Sequence, residues 1–134
     1  MPKENGLGYT VTVDNAAGSG QDISNDVTNF QFATPKAVQD VTGVDKSAFE
    51  RIFLLADFSV TLNGVYNDDS NKSHAVFSTV TSSAASRTVV LTHSGQTMTA
   101  ECLFTDYAIT RAQSGEKTWS APGVLSNGTA PAWT

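Results

Sequence analysis

The sequence is short of the residues that most kinds of chemistry need. It holds one cysteine, Cys102, in 134 residues. No intramolecular disulfide can form, so folding must rest on packing, which a reducing compartment permits. The two histidines, His74 and His93, cannot build a zinc site alone, and neither H-E-x-x-H nor C-x-x-C occurs. There is no G-x-S-x-G elbow. Gly18–Ser19–Gly20 is too short for a phosphate loop and is not followed by Lys. Charge is sparse, at 16% of residues, with a net charge of −5. A mildly acidic chain lacks the electrostatic footprint for gripping DNA or an anionic membrane. Apolar runs are short, none nearing the ~20 residues that span a bilayer. Residues 1–9 lack an apolar h-region, so an ordinary secretory signal is not expected. Without that route the N-x-[ST] sequons at Asn71 and Asn127 carry no weight.

What is present suits strands and turns. Hydrophobic residues make up 40% of the chain, a globular value, and Ser and Thr are abundant while Leu is scarce. The length fits one domain over 1–134, able to hide roughly 68% of the surface of its unfolded chain. Tyr9–Asp14 alternates and reads as a strand, and Asn15–Gly20 as a turn. Gln21–Phe32 suggests a short strand at Ile23, a kink, and a second strand over Val27–Phe32. Thr34–Ile52 has no sustained period and is punctuated by Pro35 and Gly43. It reads as a long loop, at about 34–52, and such loops normally have a job.

Phe53–Tyr66 is the clearest strand. Ala56, Phe58, Val60, Leu62 and Gly64 share one face; Asp57, Ser59, Thr61 and Asn63 share the other. That period of two predicts one buried and one wet face in an antiparallel sheet. Gly64 and the run Asn67–Asp68–Asp69–Ser70 are expected to end it. A short helix is predicted at about 70–80, with Ser70 or Asn71 as its cap and Asp68 and Asp69 near its positive end. The same run fails as a calcium loop: counting from Asn67, the sixth position is Lys72 and the twelfth Ser78, where Gly and Glu are required. Asp68, Asp69, Ser70 and Asn71 are therefore read as a structural turn and cap.

Arg87–His93 is a strand, Ser94–Gln96 a tight turn, and Thr97–Arg111 a returning strand whose apolar phase shifts near Asp106, predicting a bulge. Lys117–Val124 is the last strand, and the tail from Leu125 is weakly structured by composition. The N-terminal (1–7) and C-terminal (125–134) segments read as extended arms. No catalytic constellation emerges. A Ser/His/Asp triad can be drawn on paper in any Ser-rich chain, and His93 beside a hairpin turn reads as satisfied or exposed. Cys102 lies on an apolar face with no adjoining base, as a small buried hydrophobe. Trp119 reads as core, and Trp133 as a candidate contact with another chain.

The order of elements, with "LNGVYND", "AECLFTDY" and "GEKTWSA…SNGTAP" over Ala56–Pro131, resembles the major tail proteins (tail-tube proteins) of long-tailed bacteriophages, especially those of actinobacterial hosts. The resemblance implies a mainly β fold, an antiparallel β-sandwich or barrel with one short flanking helix. It implies a structural virion protein, not an enzyme, with no cofactor and no metal. Subunits would assemble into stacked hexameric rings forming a tube for genome delivery. Implied partners are other copies of the chain and tape-measure, terminator and distal tail components. DNA would pass through the lumen without specific binding, and no membrane is involved. The expected location is the phage tail, after synthesis in the bacterial cytoplasm. Within that frame, Asp57, Ser59, Thr61, Asn63, Thr97, Thr99 and Glu101 are expected to face the lumen. Val38, Val41, Val44, Phe49 and Trp133 are expected to join successive rings. The alternatives are a capsid decoration or fibre-type surface domain and, less well supported, a small carbohydrate-binding β-sandwich, which needs an exposed aromatic platform that Tyr66, Tyr107 and Trp119 do not suggest.

Overall fold

The computed structural model describes residues 3–134; Met1 and Pro2, part of the expected N-terminal arm, lie outside the described residues. The elements in chain order are β1 (Thr10–Asp14), β2 (Gly20–Asp22), β3 (Val27–Ala33), β4 (Lys36–Asp40), β5 (Arg51–Ala56) and β6 (Ser59–Val65). They continue with α1 (Ser73–Phe77), β7 (Arg87–His93), β8 (Gln96–Phe104), β9 (Ala108–Arg111), β10 (Lys117–Leu125) and β11 (Ala132–Trp133). Among the described residues the chain is mainly β and antiparallel, with one short helix, as the sequence predicts.

Nine strands form one sheet in the order β2–β1–β7–β8–β10–β6–β3, with β9 added to β10 and β11 to β8. The long strand β10 divides it into two layers. Lys117–Ser120 pairs with β9, and only Gly123–Leu125 pairs with β8. One layer is therefore β2–β1–β7–β8; the other is β3–β6–β10–β9. Alternation sends Val11, Val13, Val89, Leu91, Met98, Ala100 and Cys102 inward from the first, and Phe58, Val60, Leu62, Trp119 and Ala121 inward from the second. Helix α1 adds Val76 and Phe77 to this core. Each such large side chain contributes roughly 1.5–3 kcal/mol by leaving water. Tyr9, just before β1, meets Phe30 of β3 edge-on at 4.9 Å. This brings β3, at one end of the strand path, near the start of β1 towards its other end, yet no ladder closes the path among the described residues.

Several expectations are corrected. The long loop is a hairpin: β4 and β5 pair through Lys36↔Ala56, Val38↔Phe53, Gln39↔Ile52 and Asp40↔Arg51. Its sequence shows no alternation because both faces are exposed, so neither is selected to be polar or apolar. The clear strand over Phe53–Tyr66 is two strands, broken where the Asp57 carboxylate takes the N–H of Phe58 (2.7 Å). Gly64 does not end a strand; it lies within β6, where a Cβ would stand 2.0 Å from the Asp26 carbonyl oxygen. The expected bulge near Asp106 is a full interruption between β8 and β9. Pro122, which has no N–H to offer, stands opposite the gap, where its carbonyl accepts from Thr105 N–H (3.2 Å). The tail is not loose at its end: Ala132 and Trp133 pair with Thr99 and Met98.

Candidate assembly surfaces

The acidic turn is local architecture, but its capping role is corrected. The helix begins at Ser73, with Lys72 at the N-cap position and no side-chain cap from its own segment. The group that does the capping is distant in sequence. Asp26, 3% exposed, accepts from Ser73 N–H (3.0 Å) through one oxygen and from Asn67 Nδ2 (2.8 Å) through the other. Asn67 in turn takes the N–H of Asp69 (3.0 Å), and Asn71 adopts a left-handed φ of 62°. Asp68, Asp69, Ser70 and Asn71 thus make the turn but not the cap. Nothing near Asp26 in the sequence signals its role, because the contact spans 47 residues.

The Ser73 hydroxyl, buried at the same turn, finds no hydrogen-bond partner among the described residues, but other polar groups at depth are tied to structure. Arg87 is buried, donating to the Val76 carbonyl oxygen and to Thr79 Oγ1 (2.8 Å) at the C-terminal end of α1. Desolvation lowers its pKa, against the opposing pull of Asp14. Burial first, then the Glu101 charge, pushes the Cys102 thiol up to about 12. His74 Nδ1 meets the Tyr107 hydroxyl at 3.2 Å, and burial, more than the neighbouring Tyr66 and Asp26, raises that phenol to about 12. Trp119 is core, donating through Nε1 to the Val65 carbonyl (2.9 Å). Among the described residues, no three His, Cys, Asp or Glu side chains gather as a metal site.

The expected lumen set does not share one wall. Ser59, Thr61 and Asn63 project outward from β6, in register with Val124, Pro122 and Ser120 of β10 and with Ala33, Gln31 and Asn29 of β3. On β9, Ala108 and Thr110 stand opposite Ser120 and Thr118 on the same face. Every side chain on this outer face is uncharged; Asp57 lies just beyond its end. Thr97, Thr99 and Glu101 belong to β8, in the other layer, and point away from the shared core on that layer's own side. Glu101 is also occupied, accepting from Ser86 Oγ (2.6 Å) and Thr88 Oγ1 (2.5 Å).

The expected contact residues Val38, Val41, Val44 and Phe49 all stand exposed on the β4–β5 arm, with Phe49 at 72%. The sequence reading missed Phe53, Leu54 and Leu55, also exposed there, because it merged β5 with the buried strand β6. Lys36 sits over the Phe53 ring (4.3 Å) and Arg51 over Phe49 (4.7 Å), covering only part of that surface. Trp133 is held at the body, not on the arm; its ring lies 5.7 Å from Phe32 and remains 52% exposed. The second layer ends in two edges, β3 and β9, that pair with nothing further among the described residues.

This architecture has solved counterparts. Over 98% of this chain and 99% of the other, it matches a chain in the tail of an empty gene transfer agent particle, obtained by helical refinement with C6 symmetry. The TM-score is 0.74 at 16% identity. It matches a chain of the native gene transfer agent virion over the same shares, with a TM-score of 0.71 at 14% identity. The two folds are therefore shared nearly end to end. No family model matches the sequence, and no curated protein does. No described helix is long and apolar enough to cross a membrane.

Proposed function

We propose that the chain is a structural subunit of a phage-type tail tube, in which six copies close a ring and rings stack into a conduit for DNA. The observation that carries this reading is the layer β3–β6–β10–β9: an uncharged polar outer face flanked by two free edges. Its strands alternate in direction, so β9 of one copy meets β3 of the next antiparallel when copies are arranged around an axis. Such a head-to-tail contact closes into a ring when its rotation is right, and exposed edges seek partners of this kind. The likeness to a chain from a C6 tail supports the same arrangement.

In this reading Ser59, Thr61 and Asn63 face the lumen together with Asn29, Gln31, Thr118 and Ser120, and Asp57 sits at its rim. Thr97, Thr99 and Glu101 fall on the outer side of the wall. A hydrated, uncharged wall offers no basic groups to the phosphates, whose neutralisation dominates DNA affinity. The arm, with Val38, Val41, Val44, Phe49, Phe53 and Leu55, joins one ring to the next, since an apolar hairpin bare on both faces is unsupported in a lone subunit. Trp133 adds to this axial contact. The role is structural rather than catalytic, the location is the particle tail, and the tape-measure, terminator and distal components of that tail are its partners.

Negative-stain microscopy of concentrated pure protein tests the reading. Hollow tubes with sixfold end-on views are expected. Persistent monomers or trimers at high concentration would overturn it and favour a decoration or fibre-type domain.

A further inference from the structure

We infer that the segment Gly6–Tyr9 forms the second wall of a slot along β3, and that Ile109 of a neighbouring copy's β9 fills this slot. The inference rests on the ring reading above and names the contact that would make the ring specific. A groove of about 580 Å³ runs between β3 and the residues leading into β1. Leu7, Tyr9, Val11, Val27, Phe30 and Phe32 supply its apolar lining, and none of the residues lining it is charged. In an antiparallel ladder, alternate residues direct their N–H and C=O groups to opposite sides. One side of β3 is taken by β6; the other is free and faces this groove.

The wall is set in place before any partner arrives. The Leu7 carbonyl accepts from His93 Nε2 (2.7 Å). Tyr9 stacks on the His93 ring at 4.4 Å and 13° and meets Phe30 at its edge. Ser94 Oγ donates to the Glu4 carboxylate. Leu7 itself is left 79% exposed.

The occupant is argued from β9. It is the free edge at the opposite flank of the same layer, and all four of its residues are exposed. Ile109 pairs with Trp119, which points to the core. Ile109 therefore stands on the core-side face of the layer, yet it remains 43% exposed because no strand lies beyond it. Continuing the layer into a second copy carries that face to the side of β3 where Phe30, Phe32, Tyr9 and Leu7 lie. Main-chain bonds along β3 would supply affinity, and the groove would select the alternate side chain.

The test pairs a cross-link with a wall mutation. Cysteines placed as Gln31→Cys with Thr110→Cys, and as Asn29→Cys with Thr110→Cys, report adjacency of β3 and β9 in assembled tubes as a ladder of disulfide-linked oligomers. Leu7→Glu and Ile109→Glu are each expected to raise the concentration needed for assembly at least tenfold, with the melting temperature of the free subunit within a few degrees of wild type. Leu7→Glu combined with Ile109→Lys is expected to restore assembly. Tubes without a cross-link from either pair overturn the edge-to-edge ring itself. Cross-linked tubes that form equally well with Leu7→Glu and Ile109→Glu leave the ring standing and overturn the slot. Failure of the double variant to recover, while each single variant folds, also counts against it.

Discussion

At the scale of single residues, the side chains that matter most are those the turn chemistry did not point to. Removing the Asp26 carboxylate orphans the Ser73 N–H and the Asn67 amide together. Asp26→Ala should therefore lose about 2–4 kcal/mol in chemical denaturation, whereas Asp68→Asn and Asp69→Asn should stay within about 0.5 kcal/mol. Because the turn is closed by its own hydrogen bonds, excess calcium or a chelator should leave the melting temperature unchanged; only a ligand of the native state shifts it. Cys102 sets a pH limit. Its thiol ionises near 9 when unfolded but only near 12 when folded, so the native state holds the extra proton between those values. Stability is undiminished by this group below pH 9 and falls as pH rises from 9 towards 12. Melting temperatures across that range should drop, less steeply in Cys102→Ala, and native protein should resist thiol reagents at pH 8 that label it in denaturant.

At the scale of elements, the arm is the part that the body does not need. Its root is fastened by Asp57 N–H to the Pro35 carbonyl (2.8 Å), and nearly everything beyond is exposed on both sides. Replacing residues 38–53 by a short turn should leave a folded domain with a melting temperature within a few degrees of wild type, and should abolish tubes. Hydrogen exchange should be fast at the arm tip in the free subunit and slow in the assembled form; an arm equally protected in both would sink its axial role. Elements with one buried face, β6, β7 and β10 among them, were legible in the sequence because burial imposes alternation. The arm was not, since exposure on two faces imposes none. The interruption after Phe104 was half legible, as a phase shift, but its cause lies across the sheet in Pro122.

At the scale of the whole molecule, the prediction concerns the conduit. The outer face of β3–β6–β10–β9 is uncharged, so wild-type tubes should not retain DNA. Thr61→Arg with Ser120→Arg adds two cations per subunit at the centre of that face. Tubes of this variant should bind DNA with an affinity that falls steeply with added salt, measured by co-sedimentation. Binding only from arginines placed at Thr97 and Thr99 would show that the lumen lies on the other layer.

The sequence by itself determined the class of fold, the identity of most core positions and the scarcity of reactive groups. Those follow from composition and from periods of two, which are local. It also marked Val38, Val41, Val44 and Phe49 as apolar residues without a core to enter. Only the tertiary structure decided which strands are neighbours, and hence that Thr61 and Thr99 lie on different layers. It alone gave Asp26 its cap, Gly64 its close backbone approach, and Leu7 and Tyr9 their place beside a free edge. Each of these depends on groups far apart in the chain, and pairing across such distances is set by how two layers close over one core, which no local pattern encodes.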